Sequence, residues 1–256
     1  MKACELFREL LAGATLPDRT CDTLKAGDPE REVKTIAFTM FASVEVIREA
    51  IAFGADLLIT HEPTYYNHYD EPMDDPIYRQ KHALIEESGL VIYRYHDGMH
   101  FRDTDRITEG ELKALGITGQ FVKTSYAASY RLTADEPIAA SEVIARAQDR
   151  LGIRYARAAG DLAHQTTKIA ACFGTPGGVF ELLRDPEIDM VLTGETCEWA
   201  LCEYARDASA LGIPKALVVM GHIGSEKGGM MHLADTVAAA HPELTVRYLE
   251  CGEAYC

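Results

Sequence analysis

Asp56-Leu57-Leu58-Ile59-Thr60-His61-Glu62 and Asp189-Met190-Val191-Leu192-Thr193-Gly194-Glu195 are the two stretches on which the fold turns. Each is an apolar run too short for a helix, opened by Asp and closed by Thr-x-Glu. Each reads as a strand buried on both faces. In each case a polar helical stretch follows, then a second apolar run ending in a related signature. That signature is His96-Asp97-Gly98-Met99-His100 in the first copy and His222-Ile223-Gly224-Ser225-Glu226 in the second. A duplicated strand–helix–strand unit is the simplest account. It predicts an α/β protein of two related halves, with mainly parallel sheets packed around a shared cleft by a pseudo-twofold duplication.

The flanking sequence keeps the same rhythm. Residues 1–12 read as a short helix, 25–32 as a loop and 34–41 as a strand. Val44, Ile47 and Ile51 have helical spacing, with Ser43 as N-cap and Gly54 as the stop. An aromatic, acidic loop over 63–76 precedes a helix over 77–88, ended by Gly89, and a strand over 91–95. Two short strands are expected within 119–135 and a helix over 137–151. A strand over 167–173 then meets a glycine-rich turn and a helix to Leu183. Strands over 190–192, 216–220 and 244–249 alternate with helices over 196–211 and 229–240. The expected division is a first unit over 1–124 and a second over 125–256.

Composition excludes several classes of function. With 40 Asp+Glu against 25 Lys+Arg the net charge is −15, which repels phosphate backbones and argues against nucleic acid as a partner. No apolar run reaches the roughly 18 residues of a membrane span, so no membrane partner is expected. The seven cysteines are odd in number and form no CxxC pair, so they read as reduced thiols of a cytoplasmic protein. The N-terminal residues carry charges every few positions and do not read as a signal peptide.

In open parallel sheets, ligands sit outside the carboxyl ends of the strands. His61, Glu62, His96, His100, His222 and Glu226 all fall at or just after such ends. Four imidazoles and two carboxylates form a coherent set of metal donors, favouring Zn, Fe, Mn or Ni over Ca or Mg, and no thiolate is required. His96/His100 and His222/Glu226 are spaced i, i+4, so a helical turn would point both members of a pair the same way. The bland alternative is polar strand ends at a packed interface. The turn carrying Gly174, Gly177 and Gly178 either offers backbone N–H groups to an anion or is a tight strand-to-helix turn with no ligand. Glu195 and Glu198 are either partners of the site or exposed carboxylates at a helix start. Tyr65 and Tyr66 either stack on a ring in the mouth of the site or pack at the surface. His68, His82, His164 and His241 carry no such pattern.

Five of these features, in order, resemble the NIF-three-like family, whose members are also called GTP cyclohydrolase I type 2. They are Thr60-His61-Glu62-Pro63, Tyr93 to His100, the turn from Phe173 to Gly178, Asp189 to Glu195, and Gly221-His222 to Ser225-Glu226. The resemblance spans nearly the whole chain. It implies a dinuclear metal centre, with His61, His96, His222 and Glu226 matching the family's ligands. Two positions depart: Glu62 stands where the family has a second adjacent His, and His100 where it has a bridging Asp. The ligand charge is kept but one carboxylate has moved, so Glu62 or Glu226 is the bridging candidate. One firmly held metal and a weaker second one is the expectation. The resemblance further implies a homo-oligomer, often a ring-like hexamer. The leading expectation is a metal-dependent hydrolase in which Glu62 or Glu226 moves the proton, acting on a nucleotide-like or phosphoester small molecule. The rival is a non-catalytic metal-binding regulatory or scaffold protein.

Overall fold

A computed structural model describes residues 1–126, 128–175 and 177–255. By its internal contacts the chain forms two compact units, Met1–Ile107 with Met230–Cys251, and Thr108–Gly229 with Gly252–Cys256. The sequence predicts a division at 124/125, with the C-terminal strand counted in the second unit. That strand instead enters the first sheet, a long-range pairing with no local signal.

The first unit carries a five-stranded sheet, from β1 (Leu24–Ala26), β2 (Thr35–Thr39), β3 (Leu57–Thr60), β4 (Val91–Arg94) and the C-terminal Thr245–Tyr248. The spatial order is β1-β4-β3-β2 and then the C-terminal strand; all neighbours are parallel except β1, which runs against β4. Every residue of β3 and β4 is buried, which is why both read as unbroken apolar runs. The crossovers are α2 (Val44–Phe53) and α3 (Pro76–Ser88), following the N-terminal α1 (Ala3–Leu11). Both carry the punctuation that the sequence advertises. Ser43 Oγ accepts from the Val46 N–H, and Gly54 closes α2 at φ 76°. Asp75 accepts from the N–H groups of Ile77 and Tyr78, Pro76 opens α3, and Gly89 closes it at φ 65°. Val46, Ile47, Leu58, Ile85 and Ile92 form the core beneath them.

The second unit carries six strands: β5 (Gly119–Lys123), β6 (Tyr130–Ile138), β7 (Arg157–Gly160), β8 (Thr166–Cys172), β9 (Met190–Thr193) and β10 (Ala216–Val219). Their order is β5-β6-β8-β9-β10-β7, with β8, β9 and β10 parallel and β7 antiparallel to β10. Thus β1-β4-β3-β2 and β7-β10-β9-β8 are the same four-strand arrangement, in the same chain order and sense. The duplication extends to single hydrogen bonds. Thr60 Oγ donates to the Glu62 carbonyl as Thr193 Oγ does to that of Glu195, and the Tyr95 N–H donates to Thr60 O as that of Met220 does to Thr193 O.

Further helices are α4 (Asp97–His100), α5 (Arg106–Leu115), α6 (Ala140–Leu151), α7 (Val179–Arg184), α8 (Glu203–Ala210) and α9 (His222–Ala240). The sequence reading does not give α4, α5 or β7, and several expected elements differ. The predicted helix over 196–211 is a π-helical turn, Glu198–Cys202, running into α8. The predicted helix over 229–240 starts earlier, at His222, because its glycine-rich first turns pack closely enough to stay helical. The predicted loop over 25–32 begins inside β1. No described helix is long and apolar enough to cross a membrane.

Candidate metal centre

In the first unit, the end of β3 is built as a rigid hook. Thr60 Oγ donates to the carbonyls of Met40 (3.0 Å) and Glu62 (3.1 Å), and the His61 and Glu62 N–H groups continue the ladder onto Thr39 and Met40. Arg94, 1% exposed, clasps the hook: Nε donates to His61 O at 3.0 Å, one Nη to His68 O, and the other lies 3.4 Å from Glu62 Oε2. Its flat fork of donors suits such a multi-point clasp.

The end of β4 turns at once into α4, whose N-terminus is held from elsewhere. Asp22, buried, accepts from the N–H groups of His96 (2.7 Å), Asp97 (2.8 Å) and Gly98 (2.6 Å). One carboxylate thereby satisfies three donors that the helix itself leaves orphaned. Gly98 is required by packing: a Cβ there would lie 2.5 Å from the Tyr95 ring and 3.0 Å from Leu11.

These hooks bring His61, His96 and His100 together, with ring centroids 4.7 to 5.2 Å apart and one donor atom from each within 4.8 Å of the others. In each ring Nδ1 faces an acceptor. That of His61 donates to Tyr95 O (3.1 Å), that of His96 meets Asp97 Oδ1 (3.1 Å), and that of His100 meets Asp105 Oδ2 (2.9 Å). The Nε2 atoms of His61 and His100 approach to 3.4 Å. Burial pushes His61 well below the ordinary histidine range and lowers His96 as well, so both rings are neutral near pH 7. Asp97 is held low despite its burial, by the His96 ring, the Thr20 hydroxyl and the Cys21 N–H. Cys21 also lies within reach of His96 and Asp97, but burial pushes its thiol up to about 12, leaving it protonated.

In the second unit, His222 opens α9. Its Nδ1 meets Glu195 Oε1 at 2.7 Å, and its Nε2 lies 3.5 Å from Glu226 Oε2. Glu195 is therefore a partner of His222, whereas Glu198 pairs with Arg157 at the surface. Glu226 is 3% exposed and lies against Gly174, where a Cβ would sit 2.6 Å from its Oε1. The Gly174 N–H donates to Ser225 Oγ (3.0 Å), and Gly177 O accepts from the Cys172 thiol. At the turn carrying Gly174, Gly177 and Gly178, read either as an anion site or as a turn with no ligand, the Gly174 N–H is committed to Ser225 and the Glu226 carboxylate lies against its approach. Pro176 of that turn lies outside the described residues. Behind α9, fully buried Glu111 accepts from the Gly228 N–H (2.8 Å), and burial raises its carboxyl to about 8.

Register corrects one detail of the repeat. Leu57 pairs with Val91, and Met190 with Ala216. Five residues beyond Val91 and Ala216 stand His96 and Gly221, so His96 corresponds to Gly221 and Asp97 to His222. The two His-x-Gly signatures are therefore one position out of step. His61 corresponds to Gly194, where a Cβ would meet Gly174 O at 2.4 Å and Ser225 Oγ at 2.5 Å, so the second copy has no room for a histidine there. Asp22, Arg94, Asp105 and Glu111 escaped the sequence reading. Only Asp97, inside the His96–His100 signature, carried a local hint.

Comparison with known proteins places these residues in context. The family model for Duf34/NIF3 (NGG1p interacting factor 3) matches residues 21–252. A relative from Clostridium perfringens, named a GTP cyclohydrolase 1 type 2 homolog, is 23% identical over 219 residues, covering 84% of this chain and 81% of its own. One from Clostridium acetobutylicum with the same name is 24% identical, covering 79% of this chain and 76% of its own. Among solved structures, a Bacillus cereus protein related to NIF3 shares the fold with a TM-score of 0.73 at 14% identity, covering 100% of this chain and 99% of its own.

Proposed function

The chain belongs to the Duf34/NIF3 family, and from that premise we propose that it is a metal-dependent hydrolase acting on a nucleotide-like or phosphoester substrate. The observation that carries the metal-binding part is the set of imidazoles whose Nδ1 atoms are all engaged. Histidines that bind metals characteristically donate the other ring N–H to a carboxylate or carbonyl, which fixes the tautomer and aims Nε2. His61, His96, His100 and His222 all have that partner, in Tyr95 O, Asp97, Asp105 and Glu195 respectively. The depressed basicity of His61 and His96 supports the neutral, ligating form.

In this reading His61, His96, His100 and Glu62 of the first unit are one group of donors and His222 and Glu226 of the second unit another, for one or two divalent transition metals. When bound, such an ion polarises a water and the substrate's reacting oxygen, the chemistry that lets hydrolysis run near neutral pH. The chain's own share is to place the rings and handle the proton. Arg94 orients Glu62 through a contact of 3.4 Å. Glu62 and Glu226 are the candidates to take up the proton that hydrolysis releases.

The test is elemental analysis of the purified protein, then a screen against nucleotides and generic phosphoesters with and without metal. Metal-dependent turnover, lost in Glu62→Gln or Glu226→Gln, is expected. Bound metal with no turnover on any substrate would move the reading to a non-catalytic metal-binding protein.

A further inference from the structure

Beside the histidine cluster the first unit has a hollow of about 700 Å³, walled by Phe41, Val44, Tyr65, Tyr66, His68 and Lys81 among others. We propose that this hollow binds a small aromatic anion, a planar ring bearing a carboxylate or a phosphate, with the charge on Lys81 and the ring against Tyr66.

The position is where a ligand is expected. The lining comes from the segments that follow β2 and β3, at the carboxyl ends of parallel strands. His68, on the wall, has its ring 6.1 Å from that of His96, so a bound molecule would lie alongside the candidate metal centre.

The charge argument rests on Lys81. Its side chain is 5% exposed, yet among the described residues its ammonium donates one hydrogen bond, to Thr64 O, and otherwise faces the Tyr65 and Tyr66 rings. An ammonium has three donors, and burying one without an anion is costly. The carboxylate best placed to neutralise it, Asp70, is committed elsewhere: to Lys25 at 3.1 Å and to the Tyr65 N–H at 2.6 Å. Burial pushes Lys81 down to about 8, against the pull of Asp70 and Glu45, so at neutral pH the hollow still presents a cation. The N-terminus of α2 also borders it through Ser43, Val44 and Glu45, adding the positive end of a helix dipole. Glu45 opposes this, but its side chain is exposed to water.

The ring argument rests on Tyr66. It is 57% exposed while its neighbour Tyr65 is buried and bonded through its hydroxyl to His82 at 2.8 Å. The Lys81 ammonium lies 5.3 Å from the Tyr66 ring centre, so an anion on the amine brings an attached ring to that aromatic wall. The wall is also preformed. Asp70 holds a left-handed conformation at φ 58°, Arg94 grips His68 O, and Lys81 grips Thr64 O. A pocket already ordered loses little entropy on binding.

The experiment is calorimetric titration of the full-length, chelator-treated protein with phenyl phosphate, benzoate, inorganic phosphate and phenol. The two aromatic anions serve to tell phosphate from carboxylate. At least one of them should bind more than tenfold tighter than inorganic phosphate or phenol. Lys81→Met should weaken that binding at least tenfold, and Tyr66→Ala several-fold. Tyr66 is exposed, so its variant keeps the test alive if Lys81→Met does not fold. Restoring metal should change the affinity less than twofold. The proposal is overturned if neither aromatic anion binds by ~10 mM, a range in which weakly anchored fragments still register. It is equally overturned if inorganic phosphate binds as well as phenyl phosphate, if Tyr66→Ala binds as the parent does, or if binding requires metal. The last result would put the anion at the metal centre and leave the hydrolase reading untouched.

Discussion

Replacing Asp22 by Ala removes the carboxylate that accepts from three consecutive N–H groups at the start of α4. The bonds are short, 2.6 to 2.8 Å, and all three donors lie in a segment packed beneath α1. A buried donor left without a partner costs about 1–3 kcal/mol, and bonds to a charged acceptor sit at the upper end. Because the three share one acceptor, their losses do not add fully. A destabilisation of about 3–6 kcal/mol is expected, a large part of the roughly 5–15 kcal/mol typical of a folded domain. Asp22→Asn keeps one oxygen for the His96 and Asp97 amides but turns an NH₂ toward Gly98 or forces a flip, so about half that loss is expected. Urea denaturation gives the magnitude, and amide hydrogen exchange gives the location: the amides of 96–98 should lose protection before those of β3. Since α4 carries His96 and His100, metal content should fall as well. A loss below about 1 kcal/mol with unchanged protection at 96–98 would refute the claim that Asp22 builds this end of the site.

Three further outcomes follow from the same structure. Gly98→Ala forces a Cβ to within 2.5 Å of the Tyr95 ring, so a loss of about 1–3 kcal/mol is expected by thermal or chemical unfolding, and a neutral result would show that Tyr95 yields freely. Glu111, raised from the ordinary carboxyl range to about 8, binds a proton in the folded state that the unfolded chain releases at lower pH. Its contribution is therefore fully present below about 4.5 and is lost as pH rises through about 8, at up to about 1.4 kcal/mol per pH unit. Glu111→Gln should flatten that slope in denaturation curves measured across this range, and an unchanged slope would mean that Glu111 is ionised in the fold. Reverting Glu62→His together with His100→Asp should reduce metal content less than either change alone, since only the pair preserves the charge of the ligand set; purely additive effects would show that the two positions do not share a site.

How much of this was legible depended on whether the signal was local. Leu57–Thr60, Val91–Arg94, Met190–Thr193 and Ala216–Val219 are strands buried at every residue, and an unbroken apolar run between turn residues is a local signal. Ser43, Gly54 and Gly89 advertise helix ends for the same reason. The C-terminal strand gave no clue that it would pair with β2, because that partner lies far away in the chain. The start of α9 was hidden by Gly224 and Gly228, which interrupt the helical pattern ahead of the helix expected from Gly229. Gly224 packs on Ile153, and a Cβ at Gly228 would lie 2.6 Å from Glu111, so these glycines serve close packing within a helix. Among the site residues, the donors showed themselves by spacing at strand ends. Their supports did not: Asp22 and Arg94 act through backbone groups, and Asp105 is an ordinary acidic residue until the fold sets it 2.9 Å from His100. The one-position slip between the two His-x-Gly signatures shows the limit of matching motifs by eye, since strand register alone fixes which residues correspond.

The central claim is that His61, His96 and His100 of the first unit hold a metal ion. Elemental analysis with metal titration of the parent protein, His61→Ala and His96→Ala tests it most directly. The expected result is one firmly held divalent transition metal per chain, with a weaker second, and a loss of the firmly held ion in both variants. No metal in the parent, or full retention of the firmly held ion in both variants, would contradict the account.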